Sequence, residues 1–203
     1  AFAYTGCRSA ELLSVSGDDQ RNGITWEDID LEAGKLTVFG KSREYETAVI
    51  FEPAIGPLER LRSVLDPDPD WPVFPSVHLP TLYNLLDDET TSSPTTIWSD
   101  LRDHGIKPPA MSTEGARRIL RRRCEDSRYN FSEPLKPHGA RRGLGTKLYR
   151  ESAEAAQDVL RHQSIETTHE QYHEERVREL KTIGDELFAD TDDNEASKEE
   201  NVD

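Results

Sequence analysis

The stretch that most constrains the fold spans residues 135–174, where three helix-start signals follow one another. Pro137 stands where proline is favoured, at the first residues of a helix. Ser152 and Ser164 belong to the residue types that cap helix N-termini. The predicted helices are that of His138, Ala153–Arg161, and one from Ile165 towards Leu187. The sequence from Pro137 towards Leu187 is therefore expected to be mainly helical.

The preceding part of the sequence predicts a single hairpin among further helices. Lys35–Gly40 and Tyr45–Phe51 are rich in β-branched and aromatic residues, and four polar residues join them, which predicts two antiparallel strands. Ser112 can cap a helix that continues to about Arg128. Four more helices are expected, the last two weak: Ala1–Val15, Pro57–Leu65, and segments near Leu82–Leu86 and Ile97–Leu101. The predicted fold class is mainly α with a small antiparallel β-hairpin or sheet.

Charge is unevenly distributed along the chain. The net charge is −15, with 40 Asp and Glu against 25 Lys and Arg, which we interpret as adaptation to high intracellular salt. Residues 111–150 nevertheless hold eleven Lys or Arg and only four Asp or Glu, so a basic segment lies inside an acidic molecule. Residues 189–203 are acidic and lack the apolar side chains that would stabilise folding. We expect one folded domain over residues 1–188 and a disordered tail over 189–203.

The remaining composition argues against a membrane protein and against a disulfide framework. No apolar run approaches the roughly 20 residues of a membrane-spanning helix. Cys7 and Cys124 are the only cysteines, and their spacing fits neither a metal site nor a set of disulfides. Such cysteine usage is typical of a reducing compartment, which predicts a cytoplasmic location.

Histidine, arginine and tyrosine occur together in residues 135–174, and this combination suits phosphoryl transfer without a metal. Such a reaction needs cations around the phosphate, a nucleophile, and a proton donor for the leaving oxygen. Arginine matches phosphate with a fixed fork of donors and does not lose its charge. A tyrosine hydroxyl, with a pKa near ~10, needs a neighbour such as histidine to take its proton. Lysine on a hairpin can supply a proton to the departing oxygen.

Five short motifs resemble those of the tyrosine recombinases, the phage-integrase and Xer-like family. They lie along the chain in the family's order, from residue 1 to about residue 188: TGCRSAEL at Thr5–Leu12 for TG-x-R-x-x-E-L, Gly40-Lys41 for the lysine turn, His138–Arg141 for H-x-x-R, Leu160–His162 for L-G-H, and Tyr172 after Ser-Ile-Glu-Thr-Thr. Two departures are visible. Arg161 stands at the glycine of L-G-H, and the interval from His162 to Tyr172 is one residue longer than in many members.

The resemblance implies the catalytic-domain fold of that family and site-specific DNA cleavage and rejoining without a cofactor. The implied roles fall to six residues: Arg8 and Arg141 hold the scissile phosphate, Lys41 protonates the 5′-hydroxyl leaving group, His138 manages the proton of Tyr172, His162 binds a phosphate oxygen, and Tyr172 forms a 3′-phosphotyrosyl bond. The helical DNA-clamping domain that precedes the first box in the family is not expected in this sequence, whose start we interpret as truncated.

Double-stranded DNA is the partner that the resemblance implies, bound by a homo-oligomer, a dimer or tetramer on DNA. Five cationic residues of the basic segment are expected to contact it: Arg117, Arg121, Arg122, Lys136 and Arg142. Taken alone, the arginine run 117–123 is most simply interpreted as a solvated helix face, and a groove lining is the alternative. The apolar residues after Tyr172 fit docking within one chain or onto a neighbouring subunit.

Two other functions remain open at this point. His169–His173 has the form H-E-x-x-H, which on a helix places two histidines one turn apart for zinc, as in metalloproteases. This motif leaves Arg8, Lys41 and Arg141 without a role. The altered L-G-H would also fit a catalytically decayed DNA-binding remnant of a mobile element.

Overall fold

The computed structural model describes residues 2–86, 92–129, 131–173, 176–178, 180–183 and 185. The chain forms two compact units, residues 1–144 and 145–203. The helices are α1 (Ser9–Leu12), α2 (Glu52–Leu65), α3 (Leu79–Tyr83), α4 (Ile97–Asp103), α5 (Thr113–Glu125), α6 (Pro137–Glu151), α7 (Ala153–Leu160) and α8 (residues 165–173). The unit boundary falls inside α6. The strands are β1 (Ile29–Asp30), β2 (Lys35–Phe39) and β3 (Tyr45–Val49).

The predicted hairpin is present and forms part of a three-stranded antiparallel sheet of order β1-β2-β3. Strand β2 pairs with β3 from Lys35 opposite Val49 to Phe39 opposite Tyr45. Leu36 and Val38 are buried, while their neighbours in the strand face outward, as strand alternation requires. The short strand β1 was not predicted, since two residues carry too little periodicity to be recognised.

The first unit encloses the apolar core. Its buried side chains come from the sheet, the helices and the proline-rich segment that follows α2; they include Leu12, Trp26, Val38, Trp71, Val73 and Leu101. The helices at residues 79–83 and 97–103 each contribute a fully buried leucine, Leu82 and Leu101. The prediction of a mainly helical fold with a small antiparallel sheet is confirmed.

The predicted continuous helix over Ala1–Val15 is wrong. Phe2–Tyr4 form one turn of 3₁₀-helix, and α1 occupies only Ser9–Leu12. Gly6, between them, has φ of 63°, in the left-handed region that is incompatible with a continuing right-handed helix. Helix α2 is longer than predicted, since it begins at Glu52 and not at Pro57. Pro53 lies in its first turn, where proline is tolerated.

The helix-start signals of the C-terminal part are confirmed where the structure describes them. The Ser112 and Ser152 hydroxyls accept hydrogen bonds from the backbone N–H groups of Gly115 and Ala155, at 3.0 and 3.1 Å. The Ser164 hydroxyl accepts one from Thr167 at 3.3 Å. The predicted tail at 189–203, and the domain boundary before it, lie outside the described residues. Within the described ranges, no helix is both long and apolar enough to span a bilayer.

Candidate active site

The first box folds into a sharp loop that presents Arg8 at the start of α1. The left-handed Gly6 turns the chain, and Arg8 is the N-cap residue of the helix. The Glu11 carboxylate accepts hydrogen bonds from the Arg8 backbone N–H at 2.7 Å and from Arg8 Nη1 at 2.8 Å. Glu11 is buried, so these hydrogen bonds to Arg8 are shielded from water. Glu11 thereby fixes the orientation of a guanidinium that is still 32% exposed.

Arg141 links α6 to this loop. Its side chain is buried, and Nη1 donates a hydrogen bond to the carbonyl oxygen of Gly6, across 135 positions of sequence. Gly6 lies two residues before Arg8. The structure therefore brings the H-x-x-R arginine to the loop that carries the first arginine.

His138 lies in the first turn of α6 and is exposed. It lines a groove of about 300 Å³ together with Ser9, which follows Arg8, and with three cationic side chains, those of Arg117, Arg121 and Lys136. The ion pairs of Arg117 with Glu114 and of Lys136 with Glu133 are solvent-exposed and weak, so the groove keeps a positive character. Three of the five residues predicted to contact DNA thus border one groove beside a candidate catalytic histidine.

The other two predicted DNA contacts lie elsewhere on the first unit. Arg122 lines a separate groove of about 350 Å³, with Ser76, His78 and Arg118. Arg142 is exposed on α6. Lys41 is exposed in the turn between β2 and β3, and within the described part of the chain its ammonium group has no ion-pair partner.

In the second unit, Tyr172 lies between two other rings. Its side chain is 1% exposed, the His162 ring stacks on it with centroids 6.5 Å apart and planes 10° apart, and the Tyr149 ring lies 5.9 Å away. A Cβ atom at Gly145 would overlap the Tyr172 hydroxyl. The absence of a side chain at Gly145 is therefore what accommodates the phenol group in this position.

His162 is held by the end of α7 and by α8. Its backbone N–H donates to the Gln157 carbonyl at 3.0 Å, and its Nδ1 lies 2.9 Å from the hydroxyl of the fully buried Thr168. Arg161, at the glycine position of L-G-H, is the C-cap of α7 with φ of 53° and ψ of 50°. This left-handed conformation explains why glycine suits that position, and Arg161 adopts it nevertheless.

His169 of the H-E-x-x-H pattern has a partner other than a metal. Its Nδ1 lies 2.7 Å from the Tyr149 hydroxyl. The pKa of the Glu166 carboxyl is lowered, chiefly by its own backbone N–H and then by the Ser164 hydroxyl, with a further contribution from His169. No group of three or more potential metal ligands occurs among the residues that the structure describes.

Sequence reasoning overlooked three residues that surround Tyr172: Gly145, Tyr149 and Thr168. Helical spacing places all three on faces shared with predicted site residues. Gly145 lies four residues after Arg141 and Thr168 four residues before Tyr172, and side chains four apart share a helix face. Tyr149 lies four residues after Gly145, but the contact of its ring with Tyr172 depends on how α6 and α8 pack together.

Comparisons with known proteins identify the family of this chain. The model of the phage integrase family matches residues 2–179. The chain belongs to the phage integrase family. None of the curated proteins matches the sequence significantly.

Solved structures of recombinases share the phage integrase fold of this chain. The crystal structure of XerA recombinase is similar with a TM-score of 0.50 and 20% identity, over 90% of this chain and 55% of that one. The Tn1549 transposon integrase in complex with transposon right-end DNA also has a TM-score of 0.50, with 16% identity, over 90% of this chain and 56% of that one. The chain thus spans little more than half the length of these two solved recombinases.

Proposed function

We propose that this chain catalyses site-specific DNA recombination by breaking and rejoining strands through a phosphotyrosyl intermediate. The observation that carries the proposal is the hydrogen bond from Arg141 to Gly6, which brings a second arginine to the loop of Arg8. Two guanidinium groups from distant parts of the sequence are what a phosphodiester needs, because both non-bridging oxygens gain negative charge in the transition state. Membership of the phage integrase family supports the assignment.

In the proposed reaction, the Tyr172 oxygen forms a bond to phosphorus while the bond from phosphorus to the 5′ oxygen breaks. The phenol proton passes to His138, and Lys41 gives a proton to the leaving 5′ oxygen. His162 donates a hydrogen bond to a non-bridging oxygen. The products are a 3′-phosphotyrosyl bond and a free 5′-hydroxyl, and attack by a 5′-hydroxyl of another strand reverses the same steps. No metal or nucleotide is consumed, because the tyrosyl ester retains the energy of the phosphodiester.

The burial of Tyr172 imposes a condition on this mechanism. At 1% exposure, the tyrosine cannot meet a phosphate while it remains packed against Gly145. We infer that productive DNA binding includes a displacement of the Tyr172 side chain from this packing. Because His162 stacks on the same ring, the displacement would also change the surroundings of His162.

Double-stranded DNA is the proposed substrate, and a dimer or tetramer on DNA the proposed active form. The groove that holds His138, Arg117 and Arg121 supports DNA binding, since cations beside a candidate catalytic residue would hold the backbone near it. The solved Tn1549 integrase complex, similar in fold, contains transposon DNA. The proposed substrate DNA carries the recombination sites of a mobile or circular element that is integrated, excised or resolved.

A suicide substrate tests the proposal. The chain is incubated in molar potassium chloride with a library of duplexes of randomised sequence, each nicked so that the cleaved end diffuses away and the covalent adduct accumulates. We expect an adduct that resists detergent and that mass spectrometry places on Tyr172. Tyr172→Phe should abolish it, whereas Tyr129→Phe, at a tyrosine that is 64% exposed in the first unit, should not.

The alternatives predict other outcomes. DNA binding without any adduct would contradict the catalytic proposal and favour a decayed DNA-binding protein. Stoichiometric zinc that is lost in His169→Ala, together with proteolysis, would favour the metalloprotease.

A further inference from the structure

We propose that Arg21, supported by Asp18, is a positioning residue for Lys41, because it fixes the turn that carries the lysine. This inference rests on the proposed function, in which Lys41 protonates the leaving oxygen. Arg21 belongs to the loop that follows α1 and carries no motif of the family's site. Its side chain is only 18% exposed, which is low for a loop arginine.

The first contact is with the residue immediately before the lysine. Arg21 Nη2 donates a hydrogen bond to the Gly40 carbonyl oxygen at 2.9 Å. The Gly40 N–H in turn donates to the Glu44 carbonyl at 2.8 Å, and the Arg43 N–H donates to the Gly40 carbonyl at 3.2 Å. Gly40 is thus the residue where the turn's own hydrogen bonds meet the Arg21 side chain.

A second set of contacts holds the other side of the turn. Asp18 lies 3.5 Å from Arg21 Nη1 and 3.4 Å from Arg43 Nη1, so one carboxylate joins the loop to the turn. Arg43 Nη2 also donates to the Gln20 side-chain oxygen. Arg43 has φ of 64°, a left-handed conformation that costs energy for a residue with a side chain. These contacts with the loop offset that cost.

The ring of Phe39 completes the arrangement at the end of β2. The guanidinium carbons of Arg21 and Arg43 lie 5.8 and 5.5 Å from its centroid, within the range of cation–π attraction. Tyr45 packs edge-on against the same ring with centroids 5.4 Å apart. Phe39 precedes Gly40, so the strand is held directly before the turn begins.

Lys41 contributes nothing to its own placement. It is exposed, and the described residues offer its ammonium no ion pair. The position of the ammonium therefore depends on the backbone of the turn, which its own hydrogen bonds and the contacts of Arg21 and Asp18 hold together. Because several of these groups are partly exposed, their contribution to overall stability is modest. Their loss should affect proton delivery by Lys41 more than folding.

A sulfur leaving group separates positioning of the acid from a general structural effect. A 5′-hydroxyl leaves poorly without a proton, since a hydroxyl group, like water, is a very weak acid. A 5′-thiol has a pKa near ~8.5 and leaves as the thiolate, so it does not need the Lys41 proton. A variant that only misplaces the acid should lose cleavage of the oxygen substrate and keep cleavage of the sulfur substrate.

The experiment uses the full chain and two suicide duplexes of identical sequence, one with a 5′-bridging oxygen and one with a 5′-bridging sulfur. Arg21→Ala is expected to slow oxygen cleavage by roughly 10- to 100-fold, as for other small displacements of a catalytic group, and to leave sulfur cleavage unchanged. Arg21→Lys, which can still donate to Gly40, should recover part of the oxygen rate. Arg62→Ala is the matched control, since Arg62 stacks on Trp26, at 5.9 Å, and not on Phe39.

Asp18→Asn provides a second, milder variant in case Arg21→Ala unfolds, which thermal melting will detect. It should lower the oxygen rate selectively and by less. Equal losses on both substrates, or no loss on either, would overturn the positioning role while the proposed function stands. If the unaltered chain forms no adduct with either substrate, the proposed function fails, and this inference fails with it.

Discussion

The Tyr172 hydroxyl occupies the space that a Cβ atom on Gly145 would fill. Gly145→Ala should therefore displace the tyrosine or destabilise the second unit. Overpacking of a filled interior typically costs about 1–3 kcal/mol. We expect a lower midpoint in denaturant unfolding and faster nitration of Tyr172, measured by mass spectrometry.

Gly143 provides the control for this substitution. It lies in the same helix, α6, and a Cβ added there would point into open space. Gly143→Ala should raise stability by roughly 0.5–1 kcal/mol, since alanine favours a helix interior over glycine. If both variants have the same denaturation midpoint and the nitration rate of Tyr172 does not change, the close packing of Tyr172 against Gly145 is contradicted.

At Arg161, a substitution by glycine is expected to stabilise the protein. Its φ of 53° places it in the left-handed conformation at the end of α7, where glycine has no steric penalty. Arg161→Gly should stabilise the protein by up to about 1 kcal/mol, in contrast to most arginine-to-glycine changes. Arg123→Gly, inside α5, should instead lower stability by roughly 1 kcal/mol. Chemical denaturation of the two variants checks the contrast, and destabilisation by both would refute it.

The sequence predicts those parts of the fold that depend on local signals. Ser112 and Ser152 cap helices as expected, and strand pattern identifies β2 and β3, because capping and alternation act over a few residues. The N-terminal helix was predicted wrongly, since its apolar residues suit a helix, whereas the left-handed backbone of Gly6 and the extended backbone of Leu13 limit it to Ser9–Leu12.

The candidate site depends on contacts that local signals do not carry. Motif resemblance selected Arg8 and Arg141, but the hydrogen bond to Gly6 that joins their segments spans 135 positions. The same holds for Arg21 and Gly40, 19 positions apart, in a loop that looked like an ordinary polar connection. These contacts depend on long-range packing. The periodicity of a single sequence reports local structure and does not reveal which distant residues meet.

The separation of Arg121 from Arg122 predicts unequal effects on DNA binding. Arg121 borders the groove of His138, whereas Arg122 borders another groove. Arg121→Gln should weaken binding more than Arg122→Gln and should lower the slope of log K against log salt by about 1, the loss of one phosphate contact. Fluorescence anisotropy with duplex DNA over a series of potassium chloride concentrations measures both quantities. Arg60→Gln, at an exposed position of α2, serves as the control. Equal effects of Arg121→Gln and Arg122→Gln would contradict the expectation that DNA binds preferentially at the groove of His138.

Thr168 predicts a link between the packing of His162 and its proposed role. The buried hydroxyl lies 2.9 Å from His162 Nδ1. A hydrogen bond at Nδ1 determines the tautomer of the ring, and hence whether the other nitrogen, Nε2, carries the proton. Thr168→Val keeps the shape and removes the bond, so the loss of stability should be about 1–3 kcal/mol. Nitrogen chemical shifts of the His162 ring should report a changed tautomer, and adduct formation should slow, because an imidazole with the wrong tautomer cannot donate to the phosphate oxygen. Thr168→Ser restores the hydroxyl and should recover both the shifts and the rate. If Thr168→Val loses stability but keeps the tautomer and the cleavage rate, Thr168 contributes to packing alone and His162 is oriented by the end of α7.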